Sequence, residues 1–425
     1  MKKQIQYILA FIFLLGLITT SCRDKFKVEY QVMVPVYLSY SDLRASVKVV
    51  SQQDLVKPGK IYSYGNYIFI NENMKGVHVY NNINAAAPQY VGFINIPGNI
   101  DLVVKNNIMY ADSYIDLVAI DITDPSNAKE VGRVKGVFPY SLPLSPQSDY
   151  RRGSVNTASG VVIDWEVKTV KEEMESNNYG NIYAYDYLSI NSKLDALASA
   201  AGSGIGGSMA RFGLIGNSLV AVDSYSRYYN FDLTDPTVPK RAYMDYIKGG
   251  GVETMFLTGK YMFLGTSNGM LIYDLSDPMK PVYLSAFWHA TGCDPVVVQN
   301  NRAYVTLRSG VTCANRSTNE LSVLDITDVK APVLLRSYGM DNPHGLGISD
   351  DILFVCDGNS GLKVYNTTNP LLIAENLLAK FPGINAYDVI PLGTSLLMIG
   401  SDGFYQYDYS DVKNIKQISV IKVKK

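Results

Sequence analysis

The sequence predicts an all-β fold, and three observations predict it. Alternating apolar segments that end in Asp or Asn recur along the chain. Most of them return at a period of about 41 residues. Asp-Pro turns follow several of them at a fixed offset. That period is the size of one propeller blade, a unit that cannot cover both of its own faces. The expected architecture is a seven-bladed β-propeller of four-stranded blades, with an insertion between blades 2 and 3.

The repeat is read from its third strands. They are Val77–Asn81, Leu117–Asp121, Tyr229–Asp232, Leu271–Asp274, Leu321–Asp325, Leu362–Asn366 and Tyr405–Asp408. Their last residues are separated by 40, 111, 42, 51, 41 and 42 positions, so each long spacing is one period plus an insertion. The sixth unit shows the internal pattern. His344–Ser349 and Ile352–Cys356 read as two strands, and the turn Asp357-Gly358-Asn359-Ser360-Gly361 leads into Leu362–Asn366. Asn369-Pro370 then turns the chain into a fourth strand carrying Ile373 and Leu377. Period-two alternation bounded by Gly, Asn, Asp and Pro is the strand-and-turn signal. Asp124-Pro125, Asp235-Pro236 and Asp277-Pro278 stop their strands because Asp accepts from the backbone ahead and Pro fixes φ.

The segments Leu117-Val118-Ala119-Ile120-Asp121-Ile122-Thr123-Asp124-Pro125, Leu271 to Pro278 and Ser322 to Asp328 resemble the LVIVD repeat family. The resemblance runs from about Lys60 to Lys422. It departs at Arg227–Asp232 and Phe404–Asp408, where aromatics replace aliphatics. It implies a bacterial or archaeal cell-surface propeller and no particular chemistry.

Residues 1–22 read as an address. Lys2 and Lys3 precede an apolar run from Ile5 to Ile18, and Thr19-Thr20-Ser21 lead into Cys22. A short apolar run closed by small residues is a secretory signal. A cysteine directly after it resembles a bacterial lipobox, with Thr19 where leucine is usual. Lipidation at Cys22 then implies anchoring at the cell envelope, with the outer membrane as the expected location. An uncleaved anchor and an ordinary cleaved signal are the alternatives. Residues 23–58 are expected to form a tether and an N-terminal peripheral strand, and residues 59–425 the propeller, with 138–208 inserted on its rim.

Composition narrows the function. The 425 residues carry a net charge of −1 and no long basic run, which excludes a nucleic-acid partner of the usual kind. There are 32 tyrosines and 3 histidines. So few histidines leave little room for a metal enzyme. No cofactor is expected.

The insertion between units two and three contains Ile163, Trp165 and Val167 in alternation, which predicts an added strand, and a helical stretch at 192–201. A smaller insertion falls in unit five, between 307 and 321. Both belong to the same rim, where loops on a rigid scaffold bind partners. Gly202 to Gly207 matches G-x-G-x-x-G, but strand and helix stand in the wrong order for phosphate, so a flexible connection is the reading. Cys293 and Cys313 flank strands of unit five and can be disulfide-bonded or free in an exported protein. Cys356 reads as a small buried hydrophobe. Trp165, His289, Asp294, His344 and Asp357 are the candidate rim-binding residues. Asp112, Asp223, Asp357 and Asp402 close second strands, where they cap turns or ring the rim for a cation or polyol. The expected function is a non-catalytic binding or scaffolding module for an envelope protein or glycan. The alternative is a propeller hydrolase or lyase with a metal-assisted site in the funnel.

Overall fold

The computed structural model describes residues 25–143, 150–175, 205–223, 225–249, 251–289, 295–309 and 319–424. The signal segment with Cys22, the stretch 192–201, and Cys293, Asp294 and Cys313 lie outside the described residues. The chain divides into two compact units, one of Met1–Leu38 with Leu142–Ser192 and one of Ser39–Ser141 with Lys193–Lys425.

The smaller unit holds a three-stranded sheet. Lys25–Leu38 pairs antiparallel along its whole length with Val161–Glu175, bulging between Val36 and Tyr37, and parallel with Arg151–Arg152. Val32, Met33, Val161, Val162 and Trp165 supply buried side chains to it. Within the residues expected as a tether and peripheral strand, Lys25–Leu38 is thus a strand paired with the insertion. Long-range pairing of this kind leaves no mark in either strand read alone.

The larger unit is built of four-stranded antiparallel meanders. The first comprises Pro58–Tyr64, Tyr67–Glu72, Gly76–Asn81 and Gln89–Asn95. The second runs from Leu102–Lys105 to Lys129–Val134, and the third from Phe212–Ile215 to Lys240–Tyr246. The fourth runs from Val252–Thr258 to Val282–Trp288, and the fifth from Val296–Gln299 to Val333–Gly339. The sixth runs from Leu346–Ser349 to Leu377–Phe381, and the last from Ala386–Leu392 to Lys416–Lys422. Ile373 lies ahead of the sixth unit's fourth strand, buried beside the one-turn helix Ala374–Asn376.

The first two meanders share a ten-stranded sheet. Lys48–Val50 joins them by pairing with Gln89–Asn95 and with Lys129 of the second meander's outer strand. Ahead of it, the helix Tyr40–Ala45 starts at Ser39, whose hydroxyl accepts from Asp42 N. Its Arg44 donates to Asp116 at 3.0 Å, a carboxylate that also takes Arg133 and the Gly136 amide.

Each meander leans on the next through a shared apolar cluster. Val220, Tyr228, Met255 and Leu264 join the third to the fourth. Phe263, Ile272, Val296 and Val305 join the fourth to the fifth. Further clusters join the fifth to the sixth and the sixth to the last. Ile61, Ile68 and Ile70 of the first meander pack with Ile390, Leu397 and Phe404 of the last.

The repeated Asp and Asn residues explain the motif. The residue closing each third strand accepts from the amide two residues on, as Asp121 does from Thr123 and Asp274 from Ser276. Three residues later a second Asp or Asn does the same, from Asn84 in the first meander to Asp411 in the last. The carbonyl just after this second residue is a docking point for a neighbouring meander. Tyr110 donates to Pro236 O at 2.8 Å, Tyr228 to Pro278 O at 2.7 Å, Ser285 to Val329 O at 2.6 Å and Tyr338 to Pro370 O at 2.8 Å. Gln406 donates to Ala85 O at 3.1 Å, from the last meander to the first.

The Tyr338 hydroxyl also accepts from the buried Ile373 amide at 3.2 Å. Tyr338→Phe therefore leaves both Ile373 N and Pro370 O short of a partner, at a cost of about 1–3 kcal/mol. Denaturant unfolding checks this, and an unchanged midpoint refutes it.

Candidate functional site

Polar residues gather where the first strands begin. Lys60, Asp101, Thr254, His344 and Asp388 stand about twenty residues upstream of the closing Asp or Asn of their repeats, and all are buried. Burying ionisable groups is costly unless they are paired, so their partners decide what the site can do.

For Asp101 and Asp388 partners come from the returning end of the insertion. Ile205–Gly206 pairs with Tyr62–Ser63 on the first meander. The Ser208 amide donates to Asp388 Oδ1 at 3.2 Å, and the Ser208 hydroxyl accepts from Leu346 N at 2.8 Å. The Ala210 carbonyl accepts from Met255 N at 2.5 Å. Asp101 Oδ2 then takes the Arg211 and Phe212 amides at 2.8 and 3.1 Å, together with Lys60 Nζ at 2.6 Å. One short segment is thereby bonded to the first, second, fourth, sixth and last meanders. Ser208, Met209 and Ala210 are buried.

Burial sets the electrostatics. It lowers the Lys60 pKa against the opposing pull of Asp101. It pushes Asp388 up to about 7, against the amide bonds of Val389 and Ser208. Two glycines make room for the Asp388 carboxyl. A Cβ on Gly207 would lie 2.0 Å from Asp388 Oδ2, and one on Gly345 would lie 2.3 Å from Oδ1. Gly207, the last glycine of the G-x-G-x-x-G match, thus serves close packing against a carboxyl.

The candidate rim residues are dispersed. Trp165 belongs to the three-stranded sheet, buried, with its indole N–H donating to Pro143 O at 3.0 Å. His289 follows the fourth meander's outer strand, partly exposed, its ring 6.1 Å from that of Phe287. His344 and Asp357 are brought together through Asn342. The Asn342 amide donates to Asp357 at 2.7 Å, and its side chain lies 3.2 Å from His344 Nε2. Both are buried, which argues against direct contact with a large ligand. Burial holds the His344 pKa down to about 3, so the ring stays neutral. Asp357 accepts from Lys363 and from the Asp341 amide. Cys356 is a free buried thiol, its pKa raised by burial.

The four rim aspartates cap different things. Asp223 caps its own second-to-third-strand turn through Tyr225 N and Arg227 N. Asp112 and Asp357 hold the connection entering their first strands, and Asp402 takes the Tyr405 hydroxyl at 2.5 Å. Among the described residues no group of three or more His, Cys, Asp or Glu side chains is placed to hold a metal ion.

The LVIVD repeat matches residues 100–136 and 249–287. The chain carries LVIVD repeats. Each matched LVIVD stretch spans one meander, the second and the fourth, so the family unit and the structural unit coincide. Nothing among curated proteins matches the chain. Among solved structures it is similar to the computationally designed protein Ika8, at 12% identity and a TM-score of 0.49, covering 87% of this chain and 90% of that one. It is similar to Sqt1 of Saccharomyces cerevisiae at 7% identity and a TM-score of 0.48, covering 88% of each chain. It is similar to BamB of Moraxella catarrhalis at 8% identity and a TM-score of 0.46, covering 92% of each.

The pH dependence of stability tests the buried carboxyl. A folded pKa of about 7 against an ordinary 3.8 means the folded state keeps a proton that the unfolded chain releases between those values. This contribution is fully present below pH 4 and is lost as pH rises to 7. Relative to Asp388→Asn, the native chain therefore loses on the order of a few kcal/mol across that window. Parallel thermal melts from pH 4 to pH 8 measure it, and curves that stay parallel overturn it. Gly207→Ala lowers the melting temperature at every pH, because the methyl meets the carboxyl.

Proposed function

We propose that the meanders are the blades of one closed seven-bladed β-propeller, lipid-anchored at the cell envelope through Cys22, and that it is a non-catalytic binding or scaffolding module for a protein or glycan partner. The Gln406 bond to Ala85 supports closure, because it joins last repeat to first by the same device that joins inner repeats. The shared Ile61–Phe404 cluster supports it as well.

One observation carries the functional reading. Asp101 and Asp388, two of the polar groups at the starts of the first strands, accept backbone amides from the chain's own segment Ile205–Phe212. An enzyme site needs its polar groups free to face a ligand. Here Asp101 Oδ2 and Asp388 Oδ1 are spent on holding the returning end of the insertion. The three-stranded sheet and the insertion then become the natural surface for a partner, since loops on a rigid scaffold tolerate elaboration.

Two measurements test this. Cys22→Ser abolishes lipid labelling and moves the protein from the membrane fraction to the soluble one; a variant that stays in the membrane fraction refutes the anchor. A chain lacking residues 25–38 and 144–204 keeps Ile205–Phe212 and melts within a few degrees of the full chain. It loses the envelope partner that the full chain captures, and retention of that partner moves the binding surface elsewhere. Extending the second deletion through Ser208 lowers stability further, by removing the partner of Asp388.

A further inference from the structure

The junction between the third and fourth meanders opens into a cleft of about 240 Å³. Tyr228, Tyr273 and Met262 form its buried floor. The floor tyrosines have committed hydroxyls. Tyr228 donates to Pro278 O at 2.7 Å, and the Tyr273 hydroxyl bonds the backbone of Lys248. They offer the cleft their rings, not their polar tips.

The mouth is different. Tyr246 is 66% exposed and Tyr283 is 43% exposed, far more than packing requires of so large a side chain. Asp245 and Lys248 complete the rim. Asp245 is oriented by its neighbours, taking the Tyr243 hydroxyl at 3.0 Å and the Tyr246 amide at 2.7 Å. A carboxylate has about four lone-pair sites, so it keeps acceptor capacity for a ligand. The connection beneath is pinned by Ile247 N, which donates to Ser226 O at 2.7 Å. Gly249, at φ +106°, lets the Trp288 ring lie close over that connection.

We propose that this cleft binds one pyranose unit of a glycan. A sugar ring has an apolar C–H face and a rim of hydroxyls. Tyrosine faces take the first, and an oriented carboxylate with a nearby ammonium takes the second. The space is smaller than a drug-sized pocket, which suits a single ring. A proline-rich peptide also docks on tyrosines, but it needs an extended apolar trough. This cleft is short and its mouth is ionic. The site lies wholly on the meanders and does not depend on the insertion binding anything.

The test titrates the purified full chain with cellotriose, maltotriose and triacetylchitotriose, read by calorimetry and by tyrosine and tryptophan fluorescence. At least one trisaccharide binds saturably. Tyr246→Ala, Tyr283→Ala and Asp245→Asn each weaken it by about tenfold or more. Met244→Ala, exposed on the same strand outside the cleft, leaves it unchanged. A proline-rich peptide is titrated in parallel. No saturable binding of any of the three, unchanged affinity in the tyrosine and Asp245 variants, or preferential binding of the peptide overturns the assignment.

Discussion

A four-stranded antiparallel meander has two apolar faces and no means of covering either alone, and the rest of this structure depends on that. Every buried cluster in the larger unit draws residues from at least two meanders. Individual repeats are therefore not stable pieces, and stability resides mostly in the joints between them. Polar contacts sharpen the joints. In five of the seven meanders the turn after the third strand presents a carbonyl that a neighbour's Tyr, Ser or Gln takes. Repeats of unlike sequence thus remain interchangeable in geometry.

Much of this was legible in the sequence because the repeat constrains residues locally. The Asp and Asn positions bond amides two residues away, and the strands alternate within themselves. The Asp-Pro turns, the strands of the sixth unit apart from its fourth, and the added strand at Trp165 could be read without any distant partner. What escaped was every feature made by remote pairing. Nothing in Lys25–Leu38 names Val161–Glu175 as its partner, and nothing in Lys48–Val50 says that it will join two sheets.

The buried polar residues escaped for a different reason. Asp101 and Asp388 look like ordinary strand-entry polar residues, which are usually exposed. Their position relative to the closing Asp was the available signal, and it is visible only when the repeats are aligned with one another. His344 and Asp357 are two of the five candidate rim residues. They are close in space, but burial and hydrogen bonds give them a structural task. Trp165 is a candidate binding aromatic by its place in the insertion, and its side chain is buried within the small sheet.

Ile205–Phe212 carries a mechanical implication. Its bonds reach the first, second, fourth, sixth and last meanders. A pull along the chain from the insertion meets these bonds in chain order, so freeing the segment has to break contacts to five modules.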